Sequence, residues 1–218
     1  TLHNLDEIDR KGIQIGDKEV LQRSGDVIPK IIRCHERTEK SRAFIMPKSC
    51  PACNSPIQKL EGEVAHKCLN LLCPAQVKGR LKHFVSRNAM DIDGLGDAVI
   101  EQLVDNNLIK NIADLYRLQK EELIDLERMG EKSVDNLITA LEKSKSKPLA
   151  TFLFALGLPF VGKHAAEVLA EEFESLEALK ALSIEDLIAI DSIGDKTAES
   201  IIRQFQDPKF QALLTELR

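Results

Sequence analysis

The chain has 218 residues, 43% hydrophobic and 30% charged, with a formal net charge of −5, five cysteines, one tyrosine and no tryptophan. No apolar run nears the roughly 20 residues of a membrane span, so a membrane protein is excluded, and scarce aromatics argue against base stacking as the main mode of any nucleic-acid contact. Residues 1–90 hold 16 Lys+Arg against 10 Asp+Glu (+6) and residues 91–218 hold 14 against 25 (−11), so the first part can meet a polyanion through bulk charge while the second needs a local device.

Residues 1–45 read as strands and turns. Ile13, Ile15, Val20, Leu21, Val27, Ile28, Ile31 and Ile32 fall in short runs punctuated by Gly16-Asp17 and Ser24-Gly25-Asp26, and Pro29 marks an edge or a bulge. Thr1 to Arg10 has no basic start and no apolar stretch of signal-peptide kind, so a cytoplasmic location is expected, and the missing initiator Met is read as an excised piece.

Residues 46–75 hold four of the five cysteines and few large apolar residues, too little for a core of their own. Cys50-Pro-Ala-Cys53 and Cys68-Leu-Asn-Leu-Leu-Cys73 make two short-spaced pairs. Two thiolates two residues apart grip one metal from a single turn, and four close a tetrahedral structural zinc site with no open position for substrate. The alternative is a pair of disulfides or plain reduced thiols. His66 is a possible substitute ligand or a solvent-exposed loop histidine; Cys34, outside the pattern, reads as a small, partly buried hydrophobe.

Residues 76–218 read as helical throughout, with an internal repeat. Aligning Gly96, Gly130, Gly162 and Gly194 gives separations of 34, 32 and 32 residues. Before each glycine stands an apolar residue (Leu95, Met129, Val161, Ile193); four and seven after it stand Ile100, Val134, Ala166, Ala198 and Leu103, Leu137, Leu169, Ile201. The fifth position after is acidic: Glu101, Asp135, Glu167, Glu199. Asn111–Gly130 also aligns without gaps on Ser175–Gly194. The unit is helix, tight glycine turn, helix, used four times in two pairs, so the chain is expected to be mainly α with a small β part.

Such turns suit DNA phosphate binding. Glycine is expected to let two helices approach, with Gly96 in a turn of positive φ, and to aim amides at the second helix's N-terminus outward, where the helix dipole favours an anion. The alternative is hairpins that serve structure alone. The candidate DNA-binding residues are Gly94, Leu95, Gly96, Gly130, Lys132, Gly162, Lys163, Gly194 and Lys196. Only the first turn, Ile92-Asp93-Gly94-Leu95-Gly96, has both glycines. Arg128, Phe160 and Ser192 replace the earlier one elsewhere, so those loops are expected to be scaffold more than grip.

Together these residues resemble the bacterial NAD-dependent DNA ligase family over nearly the whole chain. Thr1-Leu-His-Asn4 and Gly25-Asp-Val-Ile-Pro29 resemble its OB-fold, the four cysteines its zinc finger, and Leu95-Gly96 through Ile193-Gly194 its helix-hairpin-helix domain. Cys73-Pro-Ala-Gln76, His83-Phe-Val-Ser-Arg87 and Asp91-Ile-Asp-Gly-Leu-Gly96 resemble the junction between the last two. The resemblance implies a partial OB-fold over 1–45, a four-cysteine zinc finger over 46–75 and a tandem helix-hairpin-helix domain over 76–218. It further implies duplex or nicked DNA as partner, structural zinc here, and NAD and Mg for the full-length enzyme. The family's adenylated lysine lies in a Lys-x-Asp-Gly motif of a preceding domain. This chain has none; its nearest string, Asp91-Ile-Asp-Gly94, puts an aspartate where no phosphoramidate can form. The adenylation domain and a BRCT domain are therefore expected to be missing. The rival is a non-catalytic helix-hairpin-helix repair scaffold, which would not share the OB-like segment.

Overall fold

The structure is a computed structural model that describes every residue except 1, 3, 25–27, 60–63, 71 and 174. It divides into two compact units, Thr1–Cys73 and Pro74–Arg218. No helix among the described residues is long and apolar enough to cross a membrane.

The first unit opens with a helix the strand reading did not anticipate, α1 (Leu5–Lys11). Local chemistry accounts for it. The Asn4 side chain accepts a hydrogen bond from the Asp6 amide at 2.9 Å, Asp6 and Glu7 sit at the positive end of the helix dipole, and Arg10 and Lys11 at the negative end. Only Leu5 and Ile8 supply helical periodicity over these seven residues, which is too little for a pattern search to register. Ile8 and Ile13 are the buried hydrophobics beneath it.

Strands β1 (Lys18–Ser24) and β2 (Ile28–Glu36) then pair antiparallel, from Lys18 opposite Glu36 to Ser24 opposite Ile28. With two strands, both are edges, and Pro29 opposite Arg23 costs no central ladder bond. Register irregularities fall instead at Lys18/Glu19 and Val20/Leu21. The anticipated turn at 25–27, and the Thr1, His3 and Gly25–Val27 parts of the OB resemblance, lie outside the described residues. A second hairpin, β3 (Ile57–Lys59) with β4 (His66–Cys68), follows. His66 is therefore a partly buried strand residue, not a loop histidine, and its Nδ1 is buried without a hydrogen-bond partner.

The second unit is helical from α2 (Pro74–Val85), with proline in the first turn where its missing N–H is harmless. The four expected hairpins are α2 with α3 (Asp97–Asp105), α4 (Lys120–Ile124) with α5 (Glu131–Ser144), α6 (Leu149–Ala155) with α7 (Lys163–Glu172), and α9 (Ile184–Ile188) with α10 (Asp195–Gln206). A 3₁₀ turn (Ala113–Arg117) precedes the second hairpin and α8 (Leu176–Lys180) the fourth, as the alignment of Asn111–Gly130 on Ser175–Gly194 implies. The helix α11 (Pro208–Glu216) closes the chain.

The repeat is a core repeat. The residues four and seven after each column glycine are at most 1% exposed in all four hairpins. The first two hairpins share one hydrophobic core and the last two another, so the pairing read from the sequence is physical. Phe152, Phe154, Leu213 and Leu217 pack against both cores and join them.

Candidate zinc centre and nucleic-acid interface

The four paired cysteines converge: all their sulfurs lie within 4.8 Å of one another, with Cys50 and Cys73 Sγ 3.8 Å apart and Cys53 and Cys68 Sγ 3.6 Å apart. A tetrahedral metal with Zn–S bonds of about 2.3 Å has sulfur–sulfur edges of about 3.8 Å, so the donor set fits zinc. A disulfide would need about 2.05 Å, and all five cysteines are free, which removes the disulfide alternative. His66 stays outside the cluster.

Backbone turns hold this arrangement. The Cys50 amide donates to the Ser55 carbonyl and the Asn54 amide to the Cys50 carbonyl, both at 2.8 Å, with Asn54 in the left-handed region at φ 57°. On the other arm, the Cys73 amide donates to the Asn70 carbonyl at 3.0 Å, and Asn70 Nδ2 reaches Ser55 Oγ at 3.1 Å. Polar surroundings also divide the thiols. Hydrogen bonds from Ser55 side chain and backbone pull Cys53 down to about 6. The Asn70 amide lowers Cys68, yet burial and the neighbouring thiols outweigh it and push Cys68 up to about 12. Without metal the cluster thus retains a proton, which a tetrathiolate must shed.

At the hairpin turns the structure corrects two expectations. Gly96, Gly130, Gly162 and Gly194 cap α3, α5, α7 and α10 with φ between −70° and −88°, an extended backbone open to any residue. A Cβ added at any of the four meets nothing within 4 Å, so these glycines mediate no helix approach. Positive φ belongs two residues earlier, at Gly94 (92°), where a Cβ would stand 3.3 Å from Leu137 Cβ. Arg128 (65°), Phe160 (66°) and Ser192 (71°) adopt the same left-handed conformation. All four turns are therefore built alike, and the lack of a second glycine does not mark three of them as different in backbone.

The column glycines therefore leave an open face of backbone. Four other helices are capped by side chains: Asn4 accepts from the Asp6 amide, Ser175 from that of Ala178, Ser183 from that of Asp186, and Asp207 from that of Lys209, while α6, after Pro148, has no such cap. No side chain caps α3, α5, α7 or α10. Their first amides have no intrahelical acceptor and point off the helix end. Leu95 is buried, so only its backbone can face a ligand.

Charge distinguishes the turns. The first turns of α3, α5 and α10 carry Asp97, Glu131 and Asp195, whereas that of α7 carries no acid and begins Lys163-His164. Lys132, Lys163 and Lys196 are all exposed, and Lys163 has only a 4.0 Å approach to Glu167. The repeated acids are partly neutralised: Lys82 pairs with Asp97 at 2.9 Å and Glu101 at 3.2 Å, and Lys120 with Asp135 at 2.6 Å. Sequence reasoning missed His164, and although it placed Arg128, Phe160 and Ser192 two before the column glycine, it did not read their left-handed backbone from that shared place in the repeat.

Comparison with known proteins agrees with this architecture. Residues 1–43 match the NAD-dependent DNA ligase OB-fold domain and residues 49–75 the NAD-dependent DNA ligase C4 zinc finger domain. Residues 86–143 match a SAM-like helix-hairpin-helix tandem and 151–214 a helix-hairpin-helix motif. Over its full length the chain is 53% identical to a DNA ligase of Oceanobacillus iheyensis, 50% to one of Bacillus subtilis strain 168 and 46% to one of Solibacter usitatus, spanning 33% of each. The OB-fold and zinc-finger matches separate it from helix-hairpin-helix scaffolds that lack those modules. With those two ligase domains and tandem helix-hairpin-helix motifs in order along one chain that spans about a third of the length of the DNA ligases it matches, the protein belongs to the NAD-dependent DNA ligase family.

Proposed function

We propose that this chain is the DNA-holding part of an NAD-dependent DNA ligase, gripping duplex or nicked DNA through its hairpin turns while chemistry proceeds elsewhere in the longer protein. The observation that carries this reading is the set of four uncapped helix N-termini with open glycine backbone, each presenting amides and a helix dipole to an anion. Gly94, Leu95, Gly96, Gly130, Gly162 and Gly194 contribute backbone. Lys132, Lys163 and Lys196 add charge, and the basic first part adds bulk attraction. The α7 turn, free of acid, is the strongest of the four.

Cys50, Cys53, Cys68 and Cys73 hold a structural zinc, whose contribution is to fold a segment that buries almost nothing else. Among described residues of the first unit, the buried hydrophobics are Ile8, Ile13 and two of the ligands themselves. Nick sealing needs NAD, Mg and an adenylated lysine, which belong to the whole enzyme with its adenylation and BRCT domains. With no Lys-x-Asp-Gly string, this chain alone forms no enzyme–AMP adduct. A bacterial cytoplasmic, nucleoid-associated location goes with that role.

The test is fluorescence anisotropy of the 218-residue chain on scrambled and nicked duplexes across salt. Phosphate contacts carry no base information, so affinity should be independent of sequence. With amides supplying much of the attraction, the log K against log salt slope should be shallow, on the order of −2 to −4. Sequence-dependent binding, or none, would overturn the reading.

A further inference from the structure

Phe160 carries a phenyl ring where the fold has no use for one. Its backbone is left-handed at φ 66°, a conformation that bulky side chains rarely take, two residues before the Gly162 cap of α7. The equivalent positions are Gly94, Arg128 and Ser192, so the same turn closes without an aromatic. The residue is nevertheless 60% exposed, more than any other phenylalanine of the chain. Strain is thus accepted to hold an apolar ring in water at a turn tip.

The surroundings identify what would cover it. Immediately after the ring come the open amides of α7, a first turn without acid, and the exposed Lys163 and His164. A partner matching this surface is anionic beside an apolar edge, and repeats that pairing without regard to sequence. The sugar–phosphate backbone of DNA has this chemistry: a phosphate oxygen next to the C–H edge of deoxyribose.

We infer that Phe160 lays its ring against the deoxyribose edge adjoining the phosphate held by the amides of α7, making the third hairpin the principal grip. This rests on the DNA-binding reading above. The ring's contribution is apolar, so it should leave counterion release untouched, unlike that of Lys163.

The experiment compares the full chain with Phe160→Gly, Phe160→Ser and Lys163→Ala by anisotropy on a fluorescein-labelled nicked duplex across salt, with thermal melts of each. Phe160→Gly relieves the left-handed strain, so it should melt no lower than the wild type while its Kd rises roughly fivefold to tenfold. Its salt slope should stay as in the wild type, whereas Lys163→Ala should flatten the slope by about one. Phe160→Ser should follow Phe160→Gly in affinity. If the wild type binds and Phe160→Gly binds equally well, the ring lies outside the interface and this inference fails alone. A slope changed as in Lys163→Ala would also overturn it. No binding by the wild type at low salt would sink the DNA reading and this inference with it.

Discussion

His83 Nε2 lies 2.8 Å from the carbonyl oxygen of Phe154, and the two rings meet edge-on with centroids 5.0 Å apart. This contact ties α2 of the first hairpin to α6 of the third, across the boundary between the two hydrophobic cores that Phe154 itself touches. It also explains Gly157, which has φ 66° and where an added Cβ would stand 3.2 Å from His83 Cδ2.

Gly157→Ala should accordingly destabilise the helical unit by about 1–3 kcal/mol, from left-handed strain plus displacement of His83. Gly96→Val, at an extended and open position, should cost less, no more than about 1 kcal/mol, because valine is a poorer N-cap than glycine but meets no neighbour. Urea denaturation followed by circular dichroism compares them, and equal losses would mean the two glycines are held by the same constraint.

The tolerance at Gly96 makes it a clean probe of DNA contact. Gly96→Val should stay folded yet bind duplex DNA several-fold more weakly, because the side chain stands in front of the amides, while Lys110→Ala on an exposed position should bind like the wild type. Anisotropy of both variants decides it. Unchanged affinity in folded Gly96→Val would leave the first hairpin as scaffold.

Gly162→Asp should separate stability from function more sharply. An aspartate is a better N-cap than glycine, so the melt should be unchanged or higher. The carboxylate would at the same time occupy the amide face and repel phosphate, so DNA affinity should fall at least about tenfold. A variant as stable and as tightly bound as the wild type would remove α7 from the interface.

Purified without chelator, the chain should carry one zinc, and Cys68→Ala should lose it. Since zinc supplies folding energy to the small first unit, chelation should unfold that unit before the helical one. Elemental analysis and melts with and without chelator test this; metal retained by Cys68→Ala would exclude Cys68 as a ligand.

Zinc loading should also depend on pH in a stated sense. Zinc requires thiolates, and Cys68, pushed up to about 12, must lose its proton on binding, so apparent affinity should fall by at least about tenfold per unit of acidification near neutrality. Cys53, pulled down to about 6, is already mostly thiolate at pH 7 and begins to compete for a proton only as pH falls towards 6, where the dependence should steepen. Competition titrations with a chromophoric chelator between about pH 5.5 and 8 would read this dependence. A flat profile would rule out proton release on binding.

Short-range spacing alone made several features legible before any fold was known: which cysteines belong together, where the four hairpins lie, and that they pair two by two. Period and spacing survive in one dimension because Ile100, Val134, Ala166 and Ala198 are buried for the same reason in each repeat. Packing in three dimensions was needed to show where the glycines matter. Left-handed φ is a property of a closed turn, so it fell on Gly94 and equally on Arg128, Phe160 and Ser192, which no residue preference announces. Crowding likewise arises between elements far apart in sequence, as where His83 meets Gly157, while Gly96, read from the sequence as a point of close approach, stands in open space. The helix α1 escaped pattern reading because capping by Asn4 and end charges stabilise it locally, where two apolar residues over seven carry too little periodicity to register.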